Sequence, residues 1–207
     1  QKAVDYIRGK FKTLHFEETV RSIVKGLDAK KNAVTVFIAY QEEDAAVADC
    51  LKGRLEEFGS DRLDVHTFTD RRDNAGGEQW RHTMIAKIKR SNWFIAIMPD
   101  EKTGSRWPLY EAAVFEGSKT ATDLLIVVTR PGAARPEQLE DYHGFVGNVD
   151  EMFQMFDQLM REPNQLPGWD PVNARLRDDT VQAAAEEVAR EFRESAKPVE
   201  WEVFVKY

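Results

Sequence analysis

The stretch SRWPLYEAA, residues 105–113, sets Trp107 and Glu111 four residues apart where a helix is expected to begin. Pro108 suits the first helical position, because the N–H it lacks would have no partner there. A spacing of i and i+4 brings the indole and the carboxyl onto one helix face. The partial positive charge of a helix start favours an ionised carboxylate. Such a pair can form the floor of a site that breaks a bond. Taken alone it is explained as well by a core tryptophan and a charge that offsets the helix dipole.

Other residues gather where that helix would start. Tyr40 and Gln41 follow the apolar run VTVFIAY, with Tyr40 half core and half pocket wall. The segment DRRDNAGGEQW brings Asp70, Arg71 and Arg72 on a loop containing Gly76 and Gly77. Asp70 reads first as a carboxylate that caps the loop. Two arginines above a carboxylate and an indole suit a phosphate-bearing aromatic ligand, although arginines in loops are more often only solvated.

The elements that must position these residues follow from the apolar pattern. VTVFIAY, WFIAIM and LLIVV are nearly continuous apolar runs, and LDVHTFTD is a fourth strand candidate. Runs of that kind predict strands buried on both faces of a parallel sheet. Helical patterns lie between them: EEDAAVADCLKGRLEEFG, with Gly59 expected just beyond its end, GEQWRHTMIAKIKRS and PLYEAAVFEGSK. Strands alternating with helices imply a doubly wound α/β sheet, whose ligands sit at the carboxyl ends of the strands. A fifth strand is hard to place, with HGFVG as the weak candidate. NVDEMFQMFDQLM predicts a helix capped by Asn148, its Met and Phe residues packing the core. DTVQAAAEEVAREFRES predicts another, and residues 16–27 an N-terminal one. PVEWEVFVKY reads as an edge strand or a linker. The expected division is a helical segment and linker over 1–32, a domain over 33–160, and a helical extension and tail over 161–207.

Composition removes several classes. With 207 residues and 42% hydrophobic content, the chain can bury a core without staples. A single cysteine, Cys50, excludes an internal disulfide framework and suggests a reducing compartment. Cys50 itself reads as a small apolar helix residue. No apolar run approaches the ~18 residues of a membrane span, and no signal peptide is visible. The net charge of −7 argues against nucleic acid as the main partner. His15, His66, His82 and His143 are scattered, without metal-ligand spacing. NAGGEQ is neither a phosphate-binding nor a dinucleotide fingerprint, so a Rossmann oxidoreductase is unsupported. The start at Gln1 suggests a piece of a longer protein.

In their order, these motifs resemble a Toll/interleukin-1 receptor (TIR) domain. The family's Phe-Ile-Ser-Tyr at strand one is met by Phe37, Ile38, Ala39 and Tyr40. Its Phe-x-Asp before the loop after strand two is met by Phe68 and Asp70, with Gly76 or Gly77 before the next helix. Ser91 stands before strand three, and Ser105, Trp107 and Glu111 match Ser-x-Trp with a glutamate four residues on. The match spans roughly residues 34–131. Ala39 departs from the common serine, and Pro108 stands where cysteine is frequent.

The resemblance implies a flavodoxin-like fold, a central parallel sheet with helices on both faces, here with flanking helices. It also implies one of two tasks. Many TIR domains cleave NAD+ at the nicotinamide–ribose bond with the glutamate that Glu111 matches, giving ADP-ribose or a cyclic isomer. Trp107, Tyr40, Gln41, Asp70, Arg71 and Ser105 would then line the substrate, with no metal and no cofactor. Other members only assemble with partner TIR domains. One carboxylate suffices for NAD+, because nicotinamide is bound as a cation and leaves neutral, so no general acid is required; most glycosidases need two. Implied as well are activation by self-association through TIR–TIR contacts, a sensor domain in the same full-length protein, a cytoplasmic location and a role in bacterial anti-phage defence. A nucleoside deoxyribosyltransferase-like enzyme is a more remote reading.

Overall fold

The computed structural model describes residues 33–67, 78–98, 107–120, 123–161 and 172–195. The helix expected over 16–27, the loop carrying Asp70 and Arg71, Ser105 and the terminal PVEWEVFVKY lie outside the described residues. The apolar runs form the strands expected of them. These are β1 (Val34–Ala39), β2 (Leu63–Thr67), β3 (Trp93–Met98) and β4 (Leu124–Thr129), and HGFV forms a short β5 (His143–Val146). All neighbouring pairs are parallel, in the order β2-β1-β3-β4-β5. That is the flavodoxin-like doubly wound order, with the switch point between β1 and β3.

Among the described residues five α-helices surround this sheet, α1 (Ala45–Gly59), α2 (Glu78–Arg90), α3 (Trp107–Glu116), α4 (Val149–Met160) and α5 (Asp178–Ser195), with a short 3₁₀ turn (Glu137–Leu139) before β5. Alternation along the strands divides the core in two. Val36, Ile38, Trp93, Ile95, Ile97, Ile126 and Val128 face α1, α4 and α5. Phe37, Ala39, Phe94, Ala96, Met98, Leu125 and Val127 face α2, α3 and the 3₁₀ turn. Burial on both faces is what the continuous apolar runs required.

Local details follow from single residues. Asn148 caps α4, its side chain accepting from the Glu151 N–H at 3.0 Å, and Met152, Met155 and Met160 are core. Gly59 is not a left-handed cap. It lies within α1 with φ −80°, and Ser60 takes the left-handed position at φ 47°. Glycine is needed because a Cβ there would lie 2.3 Å from Leu63 Cγ. The helix expected near the chain's end shares the sheet's own core: Val181, Ala184, Ala185, Val188 and Phe192 of α5 pack with α1 and α4. Phe192 lies so close to Gly147 that a Cβ there would be 2.4 Å from its ring. No helix among the described residues is long and apolar enough to cross a membrane.

Candidate active site at the carboxyl edge of the sheet

Two strands define the site. β1 delivers Tyr40 and Gln41 at its carboxyl end, and the chain leaving β3 returns as α3, which opens at Trp107. Because β1 and β3 are paired neighbours, both arrive at the switch point, where ligands of open α/β sheets bind.

Glu111 lies in the second turn of α3 and is fully buried, at 0% exposure. Beneath the same helix, Phe115 stacks on Phe94 at 5.2 Å, and Phe94 on Phe37 at 5.8 Å. This column fixes α3 on the sheet and holds Glu111 inside. Neither carboxyl oxygen has a hydrogen-bond partner among the described residues. Burial pushes the pKa up to about 8, only partly opposed by the Trp107 side chain, which favours the ionised form. The indole interacts without reaching hydrogen-bond geometry, so the desolvation governs. The expectation that the helix start would keep Glu111 ionised therefore gives way: the dipole acts mainly in the first turn, and Glu111 lies beyond it.

Trp107 takes the opposite role from its neighbour one turn on. It is the one exposed large hydrophobic residue among those described, at 37%, and leans on Tyr110 with ring centroids 5.5 Å apart. Arg81 of α2 donates to the Tyr110 hydroxyl at 3.1 Å and lies over its ring. The result is an aromatic ledge joining α2 and α3 outside a buried acid.

Of the two roles expected of Tyr40, half core and half pocket wall, the structure shows the core one. It is buried in the cluster facing α1, α4 and α5, on the other face of the sheet from Glu111. Ala39 is the last β1 residue on the Glu111 face, and there the family's common serine would offer a hydroxyl. Gln41 is half-buried and its carbonyl accepts from the Asp44 N–H at 2.8 Å. Asp70, Arg71 and Ser105 lie outside the described residues. No cluster of metal-ligating side chains occurs among the described residues. Cys50 is half-buried in α1, and burial raises its thiol to about 11, which leaves it unreactive.

One pair at this edge escaped the sequence reading. Asp44, after β1, is fully buried and accepts from Arg130, after β4, at 2.6 Å (Nη2) and 3.1 Å (Nε). The partners are 86 residues apart, and QEED reads in the sequence as a solvated helix start. Burial raises the Asp44 pKa more than Arg130 lowers it.

The TIR domain family matches residues 36–160, more than half of the chain. This protein belongs to the TIR domain family. No match was found among characterised proteins. Among solved structures, it is similar to a metal-soaked flavodiiron core from Synechocystis sp. PCC6803, at 12% identity and a TM-score of 0.40, over 88% of this chain and 41% of that one. A diflavin flavoprotein from Nostoc sp. is 11% identical with a TM-score of 0.35, over 79% of this chain and 93% of that one. A putative quinone reductase from Klebsiella pneumoniae is 9% identical with a TM-score of 0.32, over 80% and 85%. The TIR chain thus spans less than half of the flavodiiron core, and these likenesses carry nothing about activity.

Proposed function

We propose that this TIR domain is an NAD+ glycohydrolase, releasing nicotinamide and giving ADP-ribose or a cyclic ADP-ribose isomer, with Glu111 as the catalytic residue. The observation that carries the reading is Glu111 itself: a wholly buried carboxyl whose two oxygens have no hydrogen-bond partner among the described residues, at the switch point of the sheet, within the span that the family matches, and in the Ser-x-Trp-x-x-x-Glu pattern that resembles the family's. Buried polar groups are nearly always paired, and strongly shifted carboxyls concentrate at functional sites.

The chemistry needs only this group. NAD+ brings a cationic pyridinium ring to the acid, and a nearby positive charge lowers the carboxyl pKa. Glu111 then gives its proton to solvent and meets the ligand as a carboxylate. The bond between ribose C1′ and the pyridinium nitrogen breaks, its electron pair staying on the nitrogen, and nicotinamide leaves neutral. Positive charge on the ribosyl centre is stabilised by the carboxylate in a site shielded from water. Addition of a water oxygen at C1′, with loss of its proton to solvent, gives ADP-ribose. Addition of an adenine nitrogen gives a cyclic product. Trp107 offers a face on which a ring can stack.

The wider reading includes activation by self-association, a sensor domain in the full-length protein and a cytoplasmic role in bacterial anti-phage defence. A second reading, a non-catalytic module acting by TIR–TIR assembly, is favoured by one observation: Glu111 is closed to solvent in the single chain. Nicotinamide release from NAD+, measured for the chain alone and with a crowder beside Glu111→Ala, separates the two. Release by wild type and not by the variant is expected. Equal release by both, or none from the full-length protein with its trigger, sinks the enzyme.

A further inference from the structure

We propose that Arg130, held by Asp44, is the anion-binding residue of this site and takes a phosphate of the dinucleotide's pyrophosphate. The inference rests on the NAD+ reading for the identity of the ligand, but its geometry is independent of Glu111. β3 lies between β1 and β4 in the sheet. A side chain that starts after β4 and bonds to a residue after β1 must cross the carboxyl end of β3, at the switch point where the ligand lies. Arg130 makes that crossing.

The pair is built unlike a structural ion pair. Asp44 stands at the N-cap of α1, where an aspartate usually accepts from the first-turn N–H groups, yet its side chain makes no cap hydrogen bond. It is turned to Arg130 instead. Both guanidinium contacts, from Nε and Nη2, fall on Oδ1, and Oδ2 is buried without a partner. The fork therefore does not saturate the carboxylate as a bidentate pair would. Guanidinium has five N–H donors, and Nη1 has no hydrogen-bond partner among the described residues. Arg130 keeps 15% of its side chain exposed while Asp44 keeps none. Donors thus remain on the solvent side of an arginine whose direction is fixed from the buried side, which suits a phosphate oxygen. Asp44 is a positioning residue, and Arg130 touches the ligand.

Two substrates that share the reacting bond make the test. NAD+ carries the pyrophosphate; nicotinamide riboside carries none. In Arg130→Gln, kcat/KM for NAD+ should fall about tenfold or more, mainly through KM, while kcat/KM for nicotinamide riboside stays within about twofold. Asp44→Asn should give the same split at smaller size. An equal fall on both substrates overturns the proposal and leaves the pair a staple between loops. Where Arg130→Gln does not fold, Arg130→Lys, which keeps the charge and loses the fork, must still shift the ratio of the two substrates; an unchanged ratio overturns it. Where wild type turns over neither or only one substrate, calorimetric binding of ADP-ribose decides. About tenfold weaker binding in the variant upholds Arg130 even if the NAD+ reading falls. Unchanged binding, or none to wild type, ends the proposal.

Discussion

The two edges of the sheet treat polar groups in opposite ways. At the amino edge, Asn92 accepts from the Thr35 N–H at 3.0 Å, donates to the Thr35 carbonyl at 2.8 Å through its own N–H, and reaches Asp123 at 3.4 Å. Asp123 in turn takes both the N–H and the hydroxyl of Thr120, at 2.7 and 2.9 Å. Asn92 and Asp123 thus spend their polar groups on joining β1, β3 and β4. At the carboxyl edge, Glu111 is buried with neither oxygen paired, and Asp44 with one of two. Stability alone gives no reason for this, since a buried unpaired polar group costs about 1–3 kcal/mol. Proteins break their own rules mainly where they act, which is why the proposed function assigns the carboxyl edge to the ligand.

The strongest way to break that contrast is Glu111→Gln. Nicotinamide release should drop about a hundredfold or more, and a variant retaining full turnover would make the carboxyl edge merely badly packed. For wild type, kcat/KM should climb with pH towards about 8, where free Glu111 ionises; a flat profile from pH 6 to 9 counts against it.

The same substitution should stabilise the fold. The folded pKa of about 8 lies above the ordinary 4.5, so the native state keeps a proton that the unfolded chain releases between those values. The stability tied to that proton is complete below about 4.5 and is lost as pH rises through 8. Glutamine cannot ionise and avoids the loss. Its advantage in urea unfolding should widen from pH 5 to 8, reaching on the order of 1–3 kcal/mol. A constant difference would mean that Glu111 is not buried neutral.

On the amino edge the expectation reverses. Asn92→Ala strands the Thr35 N–H and should lose about 2 kcal/mol of stability, with nicotinamide release per folded molecule unchanged. Loss of turnover at full stability would erase the distinction between the edges. Smallest of all, Arg54→Ala removes a half-exposed pair with Glu187 between α1 and α5. It should cost less than about 1 kcal/mol and leave both edges alone; a larger melting shift would place α5 closer to the heart of the fold than its polar contacts suggest.

Much of this arrangement could be read from residue order, for definite reasons. Runs such as WFIAIM have no polar face to offer water, so only a strand covered on both sides suits them. β5 was hard to see because HGFV has one buried residue, Phe145, and three more accessible ones. Trp107 and Glu111 were visible through their spacing, but spacing fixes a direction around the helix and says nothing of depth. Here one ended outside and the other inside. Tyr40 shows the period-two rule at work: next to Ala39, it must point to the other face. Asp44 and Arg130 were beyond reach, because nothing local links two residues that meet only through the strand order.

Phe192 seated on Gly147 bears on how such a module can be inherited. The sequence shared across the family ends at residue 160, yet the apolar sides of α1 and α4 are finished by a helix that begins at Asp178. A genetic junction at the shared boundary would leave those sides wet and sticky. The smallest unit that keeps those sides covered therefore reaches past the family match and includes α5.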